Sequence, residues 1–146
     1  MKFNQAEIKR VFIVKLEDND ALPDIIEKFA LEHKINSGLC IMVGGIKKGK
    51  IIAGPENPDA SPIITMPQEI EGVSEILGVG TIFPDENNIP KLHMHAAAGR
   101  KKNTLVGCIR EGISVWKIVE FIIIELSGSK AVRKKDRDAG FFVLEP

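Results

Sequence analysis

Runs of β-branched and aromatic residues recur along this chain, and one segment alone carries a clear helical period. "VFIVKL" (11–16) reads as a strand. In "DNDALPDIIEKFALEHKINSG" (18–38), Leu22, Ile25, Ile26, Phe29, Ala30 and His33 fall at i, i+3, i+4, i+7, i+8 and i+11. That is one continuous apolar stripe of a helix. Asn19 or Asp20 can cap its start, Pro23 stands in its first turn, and Gly38 suits the exit of the chain. The stripe predicts His33 on the buried face, at the last turn.

The rest of the pattern is short and extended. "GLCIMVGGIKKGKIIAG" (38–54) reads as two strands joined by a basic, glycine-containing hairpin turn. "PENPDASP" (55–62) is a loop, and "PIITMP" (62–67) is an extended piece suited to a sheet edge because prolines flank it. "GVSEILGVGTIF" (72–83) is a strand in which Gly78 and Gly80 mark a bend or a close backbone approach. "KLHMHAAAG" (91–99) and "NTLVGCI" (103–109) are strands separated by the turn "RKKN". "REGISV" (110–115) is a connection. "WKIVEFIIIEL" (116–126) is a buried strand, although its periodicity also admits a short buried helix. "SGSKAVRKKDRDAG" (127–140) reads as a polar loop and "FFVLE" (141–145) as a closing strand. One helix, or two, against many strands without regular strand–helix alternation gives an α/β protein of the α+β type, with a mostly antiparallel sheet.

Composition narrows the class. The 146 residues suit one domain, 1–146. Lys plus Arg equal Asp plus Glu at 20 each, so bulk charge gives little attraction for nucleic acid or an anionic membrane. No apolar run approaches the roughly 20 residues of a membrane-spanning helix, and "MKFNQAEIKR" lacks the apolar core of a secretory signal. Cys40 and Cys108 lie in apolar surroundings without a CxxC. They read as small buried hydrophobes in a reducing, cytoplasmic compartment.

The candidate chemistry centres on "KLHMHAAAG". Side chains alternate along a strand, so His93 and His95 share one face while Leu92, Met94 and Ala96 share the other. Neutral imidazoles held side by side on a rigid strand suit zinc. A lone HxH is a common pattern of a solvent-facing strand, and the inventory is what strengthens it. The chain has three histidines, and the third, His33, projects from the face of a helix that must pack on the sheet. Three protein ligands, His33, His93 and His95, with one open position match an exchangeable or catalytic zinc that holds a small ligand or water. Glu111 is a candidate general base and Arg100 a candidate anion-binding group, while Glu69, Glu71 and Glu75 are equally available acids. "GGIKKGK" (44–50) lacks the spacing of a phosphate loop. "KAVRKKDR" (130–137) is a basic cluster without the aromatic residues that stack on bases.

In the order of these features the chain resembles the plants-and-prokaryotes conserved (PPC) domain. The likeness covers nearly the whole chain and runs through the opening strand, the helix ending in "EHKINSG", "GVSEILGVGTI" and, most specifically, "PKLHMHAAAGRKKNTLVGCIREGISVWKIVEFIIIEL". The resemblance implies an antiparallel sheet curled against the helix, a homotrimer, and metal binding by His93 and His95 with His33. Plant domains of this kind sit beside AT-hook segments that bind DNA. The present chain has no R-G-R-P hook, which weakens the transfer of DNA binding. Three functions are therefore in view: a zinc protein holding a small-molecule or anionic ligand, a nucleic-acid-associated protein, and a trimeric interaction module without chemistry. No reaction is assignable; an activity at such a zinc would be hydrolase- or lyase-like.

Overall fold

The β-branched runs form strands that pair antiparallel, and the single helical period forms one short helix. A computed structural model describes residues 1–60, 62–110, 112–136 and 140–146. In chain order its elements are β1 (Glu7–Glu17), β2 (Ala21–Leu22), α1 (Asp24–Glu32), β3 (Gly38–Lys48), β4 (Lys50–Pro55), β5 (Thr65–Glu69), β6 (Ser74–Pro84), β7 (Pro90–Arg100), β8 (Asn103–Ile109), β9 (Ile113–Ser127), β10 (Val132–Lys135) and β11 (Phe142–Glu145). The main sheet runs β1-β9-β3-β6-β7-β8-β4-β5, with β2 beside β9, while β10 and β11 form a separate hairpin. The proline-bearing β5 ends the order, as an edge strand should. Among the described residues no helix is long and apolar enough to cross a membrane.

Three local readings are corrected by this topology. The turn in "GGIKKGK" does not make a hairpin. β3 lies between β9 and β6, whereas β4 lies between β8 and β5. Only Gly49 joins them, at φ +125°, where a Cβ would stand 2.6 Å from Gly112 O. A one-residue link between strands four places apart requires the sheet to curl back on itself. "REGISV" is not simply a connection, because Ile113, Ser114 and Val115 already belong to β9. The loop assigned to 127–140 contains β10, whose Arg133 is buried at 5% exposure.

The helix is also shorter than its apolar stripe suggests. Asp20 closes a turn by accepting the Glu17 N–H, and α1 starts only after Pro23. At the other end Lys34 takes a left-handed φ of 55°. The Lys34 N–H then donates to Leu31 O and the Ile35 N–H to Ala30 O, a Schellman ending that seats Ile35 in the core. His33 is the C-cap, one residue past the last helical position, and is exposed. The helical period fails where the left-handed turn begins, so His33 does not extend the buried stripe.

One face of the sheet holds the core: Cys40, Met42, Met94, Ala96, Val119, Phe121 and Ile123 pack with Ile26, Ala30 and Ile35 from the helical segment. Full burial of side chains of this size contributes about 1.5–3 kcal/mol each, which anchors the central strands. The opposite face is open except where Arg133 of β10 reaches Thr81. Ile13, Ile41, Val43, Leu77, Val79 and Val106 are all exposed on it. His93 and His95 stand on this open face too, since Val79 pairs with His95 and Thr81 with His93.

Candidate metal centre

The period-2 reading of the HxH strand holds. Along β7, Leu92, Met94 and Ala96 are buried while His93 and His95 are exposed, with their ring centroids 5.1 Å apart and the rings at 80°. Close packing fixes β7 from the neighbouring strand. A Cβ on Gly80 would lie 2.6 Å from His93 O, and one on Gly78 would lie 3.1 Å from His95 O. The two glycines of β6 therefore mark a close backbone approach, as expected.

The hairpin after β7 brings in the third donor. β7 and β8 pair from Arg100↔Asn103 at the turn through His95↔Cys108. Cys108 thus lies directly across the ladder from His95. The ligand atoms of His93, His95 and Cys108 all fall within 4.8 Å of one another. Tetrahedral Zn–N bonds of about 2.0–2.1 Å and a Zn–S bond of about 2.3 Å put donors about 3.3–3.7 Å apart, so the three must draw together by up to about 1.5 Å through side-chain rotation. Two imidazoles and one thiolate form a borderline-soft set that suits zinc better than a hard cation.

Electrostatics support a metal-ready imidazole. Partial desolvation at the cavity wall holds the His93 pKa below the usual histidine value, with Arg133, His95 and Arg110 adding to the effect. The ring is thus kept in its neutral, ligating form. Burial raises the Cys108 thiol pKa, opposed by the nearby Arg110. Cys108 must lose its proton to ligate, so metal uptake displaces that proton.

The three donors line a cavity of about 520 Å³. Its wall is apolar where Ile52, Ile63, Phe141 and Phe142 contribute, and charged where Glu27, Lys91, Arg110 and Arg133 do. Glu27 ties α1 to the site. Its carboxylate accepts the Leu92 N–H at 3.0 Å and Lys91 Nζ at 2.9 Å. Arg133 reaches in from β10, with Nη2 donating to Thr81 O at 3.2 Å and Thr81 Oγ1 at 2.8 Å, opposite His93 across the β6–β7 ladder.

The other sequence candidates are placed elsewhere. His33 stacks on Phe29, with ring centroids 4.2 Å apart, and on Phe12 at 5.7 Å. Its carbonyl accepts Arg10 Nη2 at 3.1 Å. It lies six residues beyond Glu27, about 9 Å along the helix axis, and is not one of the three clustered donors. Arg100 is five residues past His95, about 17 Å along β7, with Nε donating to Val73 O at 3.1 Å. Glu111 lies outside the described residues. Glu69 pairs with Lys50 at 3.0 Å and Lys47 with Asp18 at 2.8 Å, so two cations of "GGIKKGK" are already neutralised. Of "KAVRKKDR", Arg133 turns inward, Lys130, Lys134 and Lys135 are exposed, and Arg137 lies outside the described residues.

The sequence pattern of the Plants and Prokaryotes Conserved (PCC) domain matches residues 3–127. The chain belongs to that family. The family expectation drawn from the L-H-x-H strand and its flanks is therefore correct. Solved structures agree with the PCC fold. The metal-containing protein of Archaeoglobus fulgidus is similar at 21% identity over 100% of both chains, with a TM-score of 0.85. A PPC protein of Pyrococcus horikoshii is similar at 20% identity over 100% of this chain and 99% of that one, with a TM-score of 0.83. A protein of Bacteroides thetaiotaomicron suggested to bind DNA is similar at 21% identity over 97% and 98%, with a TM-score of 0.77. No curated relative matches the chain. At these identities the likeness establishes the fold that the PCC domain adopts here.

Proposed function

We propose that this chain is a zinc-binding PCC-domain protein, with His93, His95 and Cys108 as the protein ligands and the cavity beside them as the seat of a small molecule. One observation carries the reading: two imidazoles and a thiol converge within 4.8 Å at the wall of a cavity of about 520 Å³. The similar Archaeoglobus fulgidus protein is described as metal-containing, which supports it. A bound zinc supplies Lewis acidity. The chain's own contribution is to hold His93 neutral, to position His95 and Cys108 across one ladder, and to wall the cavity with apolar side chains. The two free cysteines suit a reducing, cytoplasmic setting.

Assembly belongs to the same proposal. The uncovered apolar face, with Leu77 at 61% and Val79 at 57% exposure, is the surface on which copies of the domain would meet as a homotrimer. The family resemblance supports that stoichiometry.

Metal analysis of the purified protein is the deciding experiment. About one zinc per chain is expected, as for a single three-ligand site. His93→Ala should lose the metal while keeping its circular dichroism spectrum. A variant that folds and retains full zinc would overturn the assignment.

A further inference from the structure

Among the described residues Arg133 forms no direct ion pair that accounts for its burial. It is 5% exposed, yet among the described residues no carboxylate pairs with it. Its Nη2 is used by Thr81, and the side chain lies 5.8 Å from the Phe83 ring centroid. Its Nε is buried and has no hydrogen-bond acceptor. A guanidinium taken out of water without a counter-ion is costly, and an unsatisfied buried donor adds to that cost. The nearby Glu27 attracts it through space but makes no direct bond to it. Both oxygens of Glu27 are engaged, by Lys91 and by the Leu92 N–H. Asp85, another acid of the cavity wall, accepts the N–H groups of Asn87 and Ile89 with Oδ1 in its own turn and makes no ion pair with Arg133. Among the described residues the cavity thus presents a buried guanidinium without a direct ion pair, close to His93, with Arg110 as a second cation on the same wall.

The same cavity also has apolar lining. Ile52 comes from β4, and Phe142 from the β10–β11 hairpin that also carries Arg133. A cavity of about 520 Å³ is the size that encloses a small organic molecule. From this combination we infer that the cavity binds an organic monocarboxylate with an apolar body, its carboxylate held by Arg133 and its body against Ile52 and Phe142. The carboxylate fits because it accepts planar N–H donors in short charge-assisted bonds. An inorganic oxyanion would satisfy Arg133 but leave the apolar wall unfilled. The inference deepens the metal-site reading, since it names a ligand for the same cavity, but the Arg133 contact does not require the metal.

The test uses 4-phenylbutyrate, its neutral amide and inorganic phosphate as probes, by calorimetry on the intact protein, metal-free and zinc-loaded. The acid is expected to bind about tenfold or more tightly than the amide, and more tightly than phosphate. Arg133→Met should abolish that preference and leave the melting temperature of the metal-free protein unchanged or higher, because it removes a buried charge that lacks a direct ion pair. Equal binding of acid and amide, phosphate as tight as the acid, or no acid binding below about 10 mM would each overturn the inference. The acid–amide comparison is made on the unaltered protein, so it decides the matter even if Arg133→Met does not fold. In His93→Ala, loss of zinc with the acid preference retained is expected. Failure of zinc to bind the unaltered protein, with the acid preference intact, would sink the metal reading alone.

Discussion

Cys108 stands directly opposite His95 in the β7–β8 ladder, and His93 is two residues along the same face. Opposed residues of an antiparallel pair have Cβ atoms about 4.5–5.5 Å apart, so a single hairpin delivers all three donors. The proposed metal site therefore needs no distant element to supply a donor. Its integrity should depend on the register of that one hairpin.

Cys108→Ala should therefore weaken zinc affinity by more than the roughly 10–100-fold typical of losing an outer hydrogen-bond partner. Cys108→His should retain zinc. His33→Ala should leave zinc content unchanged, because His33 packs on Phe12 and Phe29 outside the cluster. Zinc lost from His33→Ala but kept by Cys108→Ala, measured by elemental analysis, would restore the ligand set expected from the family likeness.

The two thiols should react at very different rates. Cys40 is fully buried, and burial pushes its pKa up to about 12, so it should resist alkylation in the folded protein. Cys108 lines the cavity and should be the residue modified in metal-free protein. Zinc should protect it. Mass spectrometry of the alkylated peptides distinguishes the two positions.

Gly80→Ala should harm both stability and the site. Its new Cβ would meet His93 O and Met94 Cβ at 2.6 Å, both on β7. Overpacking of this kind costs about 1–3 kcal/mol, and relief requires β7 to shift where it carries His93. A lower denaturation midpoint together with reduced zinc affinity is expected. Loss of stability with undiminished zinc affinity would show that the metal ligands tolerate the shift.

Glu125 should make stability pH-dependent. It is buried at 4% exposure and accepts Arg10 Nη2 at 3.0 Å, with Arg10 Nε and Lys9 Nζ also bonded to it. The Arg10 hydrogen bond holds its carboxyl below the usual glutamate range, and Lys9 adds to the effect. A carboxyl with a lower pKa folded than unfolded stabilises fully above the unfolded value, near 4.3, and loses that contribution as pH falls through the folded value. Glu125→Gln should cost about 1–2 kcal/mol at neutral pH, since Arg10 stays partly solvated, and progressively less below about pH 4. A pH-independent difference between the two proteins in urea denaturation would exclude this role.

Charge placed on the open sheet face should separate the copies. Leu77→Asp should shift the mass measured by light scattering from an assembly to a single chain. Its effect within the chain should stay near 0.5 kcal/mol, because Leu77 is 61% exposed there. An unchanged mass would remove this face from the interface.

Much of the site's framework was legible in the residues. The period-2 alternation in "KLHMHAAAG" put both histidines on one face, and the structure agrees. The turn "RKKN" between two strand runs also contained the register. Counting five residues back from Arg100 and five forward from Asn103 reaches His95 and Cys108, the pair observed. Cys108 escaped notice because "LVGCIR" reads as apolar core, and without a CxxC it offered no local metal signal. Extending the helical period past Glu32 puts His33 on the buried face, but there the chain already leaves the helix for a left-handed Lys34. Arg133 sat in a run of cations, where solvation is the ordinary expectation.

By itself the sequence determined the local and periodic features: strands against one helix, the shared face of His93 and His95, the close-approach glycines of β6 and the proline-bearing edge. These follow from side-chain alternation, backbone sterics and hairpin geometry, which act over a few residues. Only the tertiary structure decided which cation turns inward, where the helix stops relative to His33, and that β4 pairs with β8 rather than β3. Those outcomes depend on segments far apart in the chain competing to cover one core, and no local pattern records which of them meet.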